Sequence, residues 1–341
     1  MINVLIFCVS TFICCVFLEF SVRIFLPIYN PSGMVRFYLG GDDLPLAEKN
    51  FVGRQWNSKG DYNVAVMINK FGFRDKKDLR MSTANDLFVV GDSFSFGFGV
   101  EEKDRYSNLL ESKLGVPIYN ISIPTDFDGY EKIVKYAQQN GAPIKNLLIG
   151  VCMENDLYNY DSHIDEIYFT RKGRDPFASV KGYLGLYSAA YNALASVVHH
   201  NTFLTQMAIK LGFVVDNYDG MYQQTYSENV LKSSTHRLVK LIKDRHVPNV
   251  VVVIIPSRAL WVGDNITTQL KMHNDFVRLL EEIGLEVIDL RFAFEDGGDP
   301  LQYHFRNDPH WNNKGHLKVS EVISAYFRAK ETLKIKRVSV D

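Results

Sequence analysis

No block of like charge stands out in this chain. Lys and Arg total 38 against 39 acidic residues, a formal net charge of -1, and no long basic run occurs. The electrostatic means of holding a phosphate backbone is missing, so nucleic acid is excluded as the main partner. Cysteine is scarce as well. Of four, Cys8, Cys14 and Cys15 lie near the N-terminus and Cys152 stands alone in the remainder. No internal disulfide can form there, which neither demands nor forbids an oxidising compartment. His163, His199, His200 and His273 show no metal-ligand spacing with an acid or a thiol. The acidic stretch Glu295-Asp296-Gly297-Gly298-Asp299 lacks the alternation of ligands of a calcium loop, so no metal and no cofactor is expected. Internal repeats and low-complexity tracts are also missing.

Apolar residues, in contrast, make up 46% of the 341 residues, enough to bury one large core or two modest ones. Ile2 to Leu18 carry no charge, and the apolar character runs on through Phe20, Val22 and Ile24 to Leu26 before Pro27 ends it. A crossing needs about 20 apolar residues, which this segment reaches by including Glu19 and Arg23. Those two are four apart, so they can pair on one helix face or sit at the interface. A cleaved signal peptide would call for a basic start and a small-x-small cleavage site, and neither is present. The expectation is therefore an uncleaved anchor over 1–27, a lead-in element over 28–85, a main domain over 86–332 and a tail over 333–341.

From Leu87 onward the pattern is regular. Short continuous apolar runs at Leu87–Val90, Pro117–Ile121, Asn146–Val151, Val250–Ile255 and Glu286–Leu290 read as buried parallel strands. Helical periodicity falls between and after them, at Arg105–Leu114, Tyr130–Asn140, Glu228–Lys243, Thr267–Ile283 and Asn313–Ala329. The alternation predicts an α/β fold, a three-layer α/β/α sandwich around a five-stranded parallel sheet of order 2-1-3-4-5. Residues 157–226 are too long for a plain crossover. With an apolar helical stretch around Leu184–Leu211 and many tyrosines, among them Tyr168, they read as a helical insertion that either shapes a substrate site or packs against the core or the membrane.

Acyl transfer needs a nucleophile, a base, a carboxylate that orients the base, and donors for the oxyanion. The first strand ends in Gly91-Asp92-Ser93, and the third runs into Glu154-Asn155-Asp156. In this strand order those two ends flank the topological switch point, where ligands bind. Asp308-Pro309-His310 follows the fifth strand and reaches the same sheet edge. Ser93 is thus a candidate nucleophile, His310 its base, Asp308 the orienting acid and Asn155 an oxyanion donor. Each residue type also has a plain structural role, as helix start, buried hydrogen-bonding imidazole or loop amide. Ser95 reads as a cap or helix-face hydroxyl, His316 as the start of the last helix and Asp156 as loop support.

Over about Ile68 to Phe327 the chain resembles the SGNH (GDSL-type) hydrolase superfamily. The resemblance rests on Gly91-Asp92-Ser93-Phe94-Ser95, on Glu154-Asn155-Asp156-Leu157 and on Asp308-Pro309-His310-Trp311. It implies an acyl-serine mechanism with Ser93, Asp308 and His310 as catalytic residues and an oxyanion hole from Ser93, Thr125 and Asn155. Thr125 stands where the family has a glycine, and its backbone N–H can serve if its φ/ψ tolerates a side chain. Most members place the acid three residues before the histidine, where this chain has Asn307. The Asp-x-His-Trp spacing instead resembles alginate O-acetyltransferase-type members, and Ile68-Asn69-Lys70-Phe71-Gly72-Phe73-Arg74 resembles the lead-in of membrane-anchored bacterial ones. The resemblance implies an esterase or O-acyltransferase acting on acylated cell-envelope carbohydrate, with a membrane-bound acyl donor as a further partner. Alternatives left open are a lipid esterase and a catalytically silent glycan-binding or assembly module. Arg23 and Arg36, after the span, lean toward a cytoplasmic domain by the positive-inside rule. The resemblance points to the outer side of the cytoplasmic membrane.

Overall fold

The computed structural model describes residues 2–161, 178–214 and 226–330. His163, Tyr168 and the tail over 333–341 lie outside the described residues. Helix α1 (Ile2–Phe25) comes first and is long and apolar enough to cross a membrane. Two small antiparallel hairpins follow, β1 (Phe37–Leu39) with β2 (Pro45–Ala47) and β3 (Val52–Trp56) with β4 (Asn63–Met67). The remaining strands are β5 (Leu87–Val90), β6 (Ile118–Asn120), β7 (Asn146–Cys152), β8 (Asn249–Ile255) and β9 (Glu286–Asp289). They form one parallel sheet in the order β6-β5-β7-β8-β9, which is the 2-1-3-4-5 arrangement that the apolar runs predict.

Side chains alternate across a strand, so each strand of this sheet feeds two cores. Phe88, Val90, Leu147, Ile149, Val252 and Ile254 face one side, where α4 (Phe127–Gln139), α8 (Glu228–Asp244) and α9 (Ile266–Glu282) cover them. Leu87, Val89, Leu148, Val251, Val253 and Ile288 face the other, under α3 (Tyr106–Leu114) and α11 (Asn313–Lys330). The result is a three-layer α/β/α sandwich. The lead-in adds Leu46, Ala47, Ile68, Phe71 and Phe73 to the first of these cores.

Two short helices complete the sheet's upper edge, α2 (Ser93–Phe96) after β5 and α10 (Arg291–Glu295) after β9. Within the inserted segment the apolar stretch is three helices, α5 (Ala178–Tyr187), α6 (Ala189–His200) and α7 (Thr202–Lys210). The breaks fall at Ser188 and Asn201. Each turns its side-chain oxygen onto a backbone N–H of the next helix, Tyr191 for Ser188 and Leu204 for Asn201.

Candidate active site

Strand β5 delivers the chain to the sheet edge, and Asp92 starts α2 by accepting the Phe94 N–H at 3.0 Å. Ser93 is thereby held on the first turn. The turn is tight because Ser95 packs down onto two glycines. A Cβ added at Gly91 or at Gly150 would lie 2.4 Å from the Ser95 Oγ. That hydroxyl is buried and hydrogen-bonded to the Tyr106 hydroxyl at 2.9 Å, a packing role.

The loop between β9 and α11 brings in the imidazole. His310 Nε2 lies 2.7 Å from Ser93 Oγ, and its Nδ1 lies 2.5 Å from Asp308 Oδ1. The same carboxylate oxygen accepts the His310 backbone N–H at 3.0 Å. An aspartate that takes the N–H two residues on forms an Asx-turn, so this spacing fixes backbone and ring with one atom. Asn307, at the position three before the histidine, instead gives its backbone N–H to Asp61 at 3.1 Å. The ring of His310 lies between Phe94 and Phe98, each centroid 4.9 Å away.

Electrostatics favour a charged Asp308. Burial alone would raise its carboxyl, but hydrogen bonds from His310 and Tyr62 and the charge of the imidazolium outweigh it and bring the value down to about 2. Tyr62 donates to Asp308 Oδ2 at 3.2 Å. In turn, burial and then the Asp308 charge push the Tyr62 hydroxyl well up. Burial lowers His304 and His316 to about 3, so neither takes up a proton in neutral solution. His316 lies in the first turn of α11 and accepts the Tyr106 N–H at 3.2 Å.

Asn155 follows β7, next to β5, and its Nδ2 donates to Asp92 Oδ2 at 3.2 Å while its Oδ1 is buried without a partner. The amide is therefore tied to the residue just before Ser93. Thr125 lies half-buried in the loop between β6 and α4 with an ordinary negative φ. Gly129 makes room for it, since a Cβ there would fall 2.0 Å from the Thr125 Oγ1. Below the site Asp156 accepts from the Tyr130 hydroxyl, 3.0 Å from either oxygen, and from the Cys152 N–H at 2.7 Å. Burial raises the Asp156 carboxyl, and the nearby Asp92 charge adds to it.

The contacts of several residues in this assembly, two of them inside the motifs, escape a reading of the sequence. Glu154 Oε1 accepts from the Ser257 hydroxyl and the Arg258 N–H, both at 2.9 Å. Arg258 then reaches the Asp308 carbonyl at 3.0 Å, so the loop after β8 braces the loop that carries His310. Arg74 spans from the lead-in to the turn that carries Ser93, donating to the carbonyls of Gly97 at 2.6 Å, Val100 at 2.7 Å and Ala65 at 3.1 Å. Tyr62 comes from the turn after β3, more than two hundred residues before its partner. Among the described residues no cluster of His, Cys, Asp and Glu could hold a metal ion. His273, buried, binds Asp289 at 2.9 Å.

No protein-family model matches the chain, and no curated protein does. Among solved structures it is similar to a lipolytic protein of the G-D-S-L family from Veillonella parvula, 11% identical, with a TM-score of 0.42 over 71% of this chain and 98% of that one. It is also similar to a lipase/acylhydrolase from Enterococcus faecalis, 11% identical, with a TM-score of 0.43 over 72% and 96%. A psychrotrophic esterase from Pseudoalteromonas is 12% identical, with a TM-score of 0.39 over 72% and 98%. Likenesses this distant add nothing to the geometry of the site.

Proposed function

We propose that this chain is a membrane-anchored serine ester hydrolase or O-acyltransferase of the SGNH (GDSL-type) superfamily. The observation that carries the reading is the continuous hydrogen-bonded line from Ser93 Oγ through the His310 ring to Asp308, 2.7 Å and 2.5 Å long. His310 Nε2 takes the Ser93 proton as Oγ attacks an ester carbonyl, and the charged Asp308 stabilises the imidazolium and fixes its tautomer. The tetrahedral oxyanion is held by the Ser93 N–H, the Thr125 N–H and the second N–H of the Asn155 amide, the first being turned toward Asp92. Collapse expels the alcohol, which takes the proton from His310 and leaves an acyl-Ser93. Water or an acceptor hydroxyl then gives its proton to His310 and attacks the acyl carbon, and as this second oxyanion collapses Ser93 leaves with the proton from His310.

The substrate is an acyl group, acetyl by preference, on a cell-envelope carbohydrate. Support for the carbohydrate is the Asp-x-His-Trp spacing; the family resemblance, not helix α1, sets the domain on the outer face of the cytoplasmic membrane. In the transferase form a membrane-bound partner supplies the acyl group. Product analysis with and without an acceptor glycan separates hydrolysis from transfer.

The test is Ser93→Ala. The variant keeps its circular dichroism spectrum and loses both turnover of p-nitrophenyl acetate and labelling by a fluorophosphonate. Turnover equal to that of the parent removes Ser93 from the mechanism.

A further inference from the structure

Glu19 is one of two charged residues in α1, and it is engaged by the inserted helices. Its carboxylate accepts the Ser188 hydroxyl at 2.8 Å and the N–H groups of Ala189 and Ala190, each at 2.9 Å. Arg23 pairs with Glu19 at 2.6 Å and donates to the Tyr187 carbonyl at 2.7 Å. The joint between α5 and α6 is thereby fastened to the last two turns of α1. The preceding segment, Ile2 to Leu18, faces outward along its whole length. At 1.5 Å per residue it is about 25 Å long, close to the roughly 30 Å of a hydrocarbon core. Glu19 and Arg23 then sit at the edge of the bilayer, and the joint lies at the same depth.

Many of the exposed side chains of the three helices are apolar. Leu194 and Val197 on α6, Phe203 and Met207 on α7, and Tyr183 and Leu186 on α5 are exposed, Phe203 by 70% and Tyr183 by 64%. From Ala178 to Lys210 there is no acidic residue, and the only full charges are Lys181 and Lys210. The outer helices of the sandwich differ, since α8 and α9 carry exposed ion pairs such as Lys232–Glu228 and Arg278–Glu282. Apolar side chains, paired tyrosines and few full charges are the composition of a helix that lies in the headgroup region.

We infer that α5, α6 and α7 form a second membrane contact, lying in the interface of the bilayer that α1 crosses. The inference rests on the reading of α1 as a membrane span, and the partner is the lipid surface itself. The polar joint at Glu19 sets the depth, and the exposed apolar side chains enter the boundary between headgroups and acyl chains.

The test uses the full chain in vesicles of mixed zwitterionic and anionic phospholipid containing a hydrophobic diazirine. After irradiation, mass spectrometry reads the adducts on each peptide. Adducts over 178–214 as well as over 2–25, with none at the exposed Met81 or Ile283, are the expected result. The combined variant Val197→Asp, Phe203→Asp, Leu211→Asp should lose label over 178–214 and keep it over 2–25, with an unchanged circular dichroism spectrum as the check on folding. Label confined to 2–25 overturns the inference and leaves the anchor standing. Label over 178–214 without label over 2–25 removes the span and overturns the inference as stated, since no crossing α1 then sets the depth. Cross-links between copies through 178–214, with no lipid adduct there, mean that a second copy covers the face and also overturn it.

Discussion

The Tyr62 hydroxyl and the His310 ring hold one oxygen each of the Asp308 carboxylate. A hydrogen bond to a charged group contributes about 1.5–3 kcal/mol, so Tyr62→Phe should lower kcat for p-nitrophenyl acetate by about tenfold. The ring remains on Phe305, whose centroid lies 5.1 Å away, so the change removes the bond more than the packing. The loss also shows in acid. A carboxyl lowered from 3.8 to about 2 adds stability that is complete above its unfolded value and disappears as pH falls through the folded one. Without Tyr62 the folded value rises, so that part of acid unfolding, followed by fluorescence, begins at higher pH. An acid midpoint equal to that of the parent would mean that Tyr62 does not bear on Asp308. Asp308→Asn is more severe. An amide does not hold the same tautomer, and by analogy with serine hydrolases of known mechanism kcat should fall by about 10,000-fold.

At the scale of elements, two buried connections can be tested by stability alone. Arg74→Met leaves the carbonyls of Gly97, Val100 and Ala65 without their donor, at a cost of about 1–3 kcal/mol for each group that water cannot reach. A denaturant midpoint unchanged from the parent would show that the lead-in does not hold the turn of Ser93. Asp156 works in the opposite sense from Asp308. Its carboxyl is raised by burial, so the folded protein loses stability as pH rises above the ordinary aspartate value. Asp156→Asn removes that penalty while its amide still serves Tyr130 and Cys152. The variant should gain on the parent in thermal midpoint between acid and neutral pH. The five strands and their order were legible because each is a continuous apolar run with a helical period after it. The hairpin of β1 and β2 was not, since runs as short as Phe37–Leu39 and Pro45–Ala47 carry too little pattern. Nor were the breaks at Ser188 and Asn201, whose capping role is hidden inside an apolar stretch. At the site, Ser93, Asp308, His310 and Asn155 could be placed from strand ends and motifs. Tyr62, Glu154 and Arg258 act through contacts that only the folded chain creates.

For the molecule as a whole, the side of the membrane can be read with a cysteine. Cys8, Cys14 and Cys15 lie in α1, and Cys152 is buried with its thiol raised by that burial. With α1 in the bilayer as proposed, a new thiol at the exposed Met81 is the one open to a water-soluble reagent among the described residues. In intact cells Met81→Cys should take a membrane-impermeant maleimide without permeabilisation. Labelling only after lysis would place the domain inside.

The C-terminal end of α6 abuts the turn after β3, for a Cβ added at Gly60 would fall 2.3 Å from the His200 ring. The next residue along that turn, Asp61, fastens Asn307, and the one after it, Tyr62, fastens Asp308. Helix α6, the turn and the His310 ring thus stand in one line of contact. If Ser93 and His310 act as proposed, displacing α6 should change turnover.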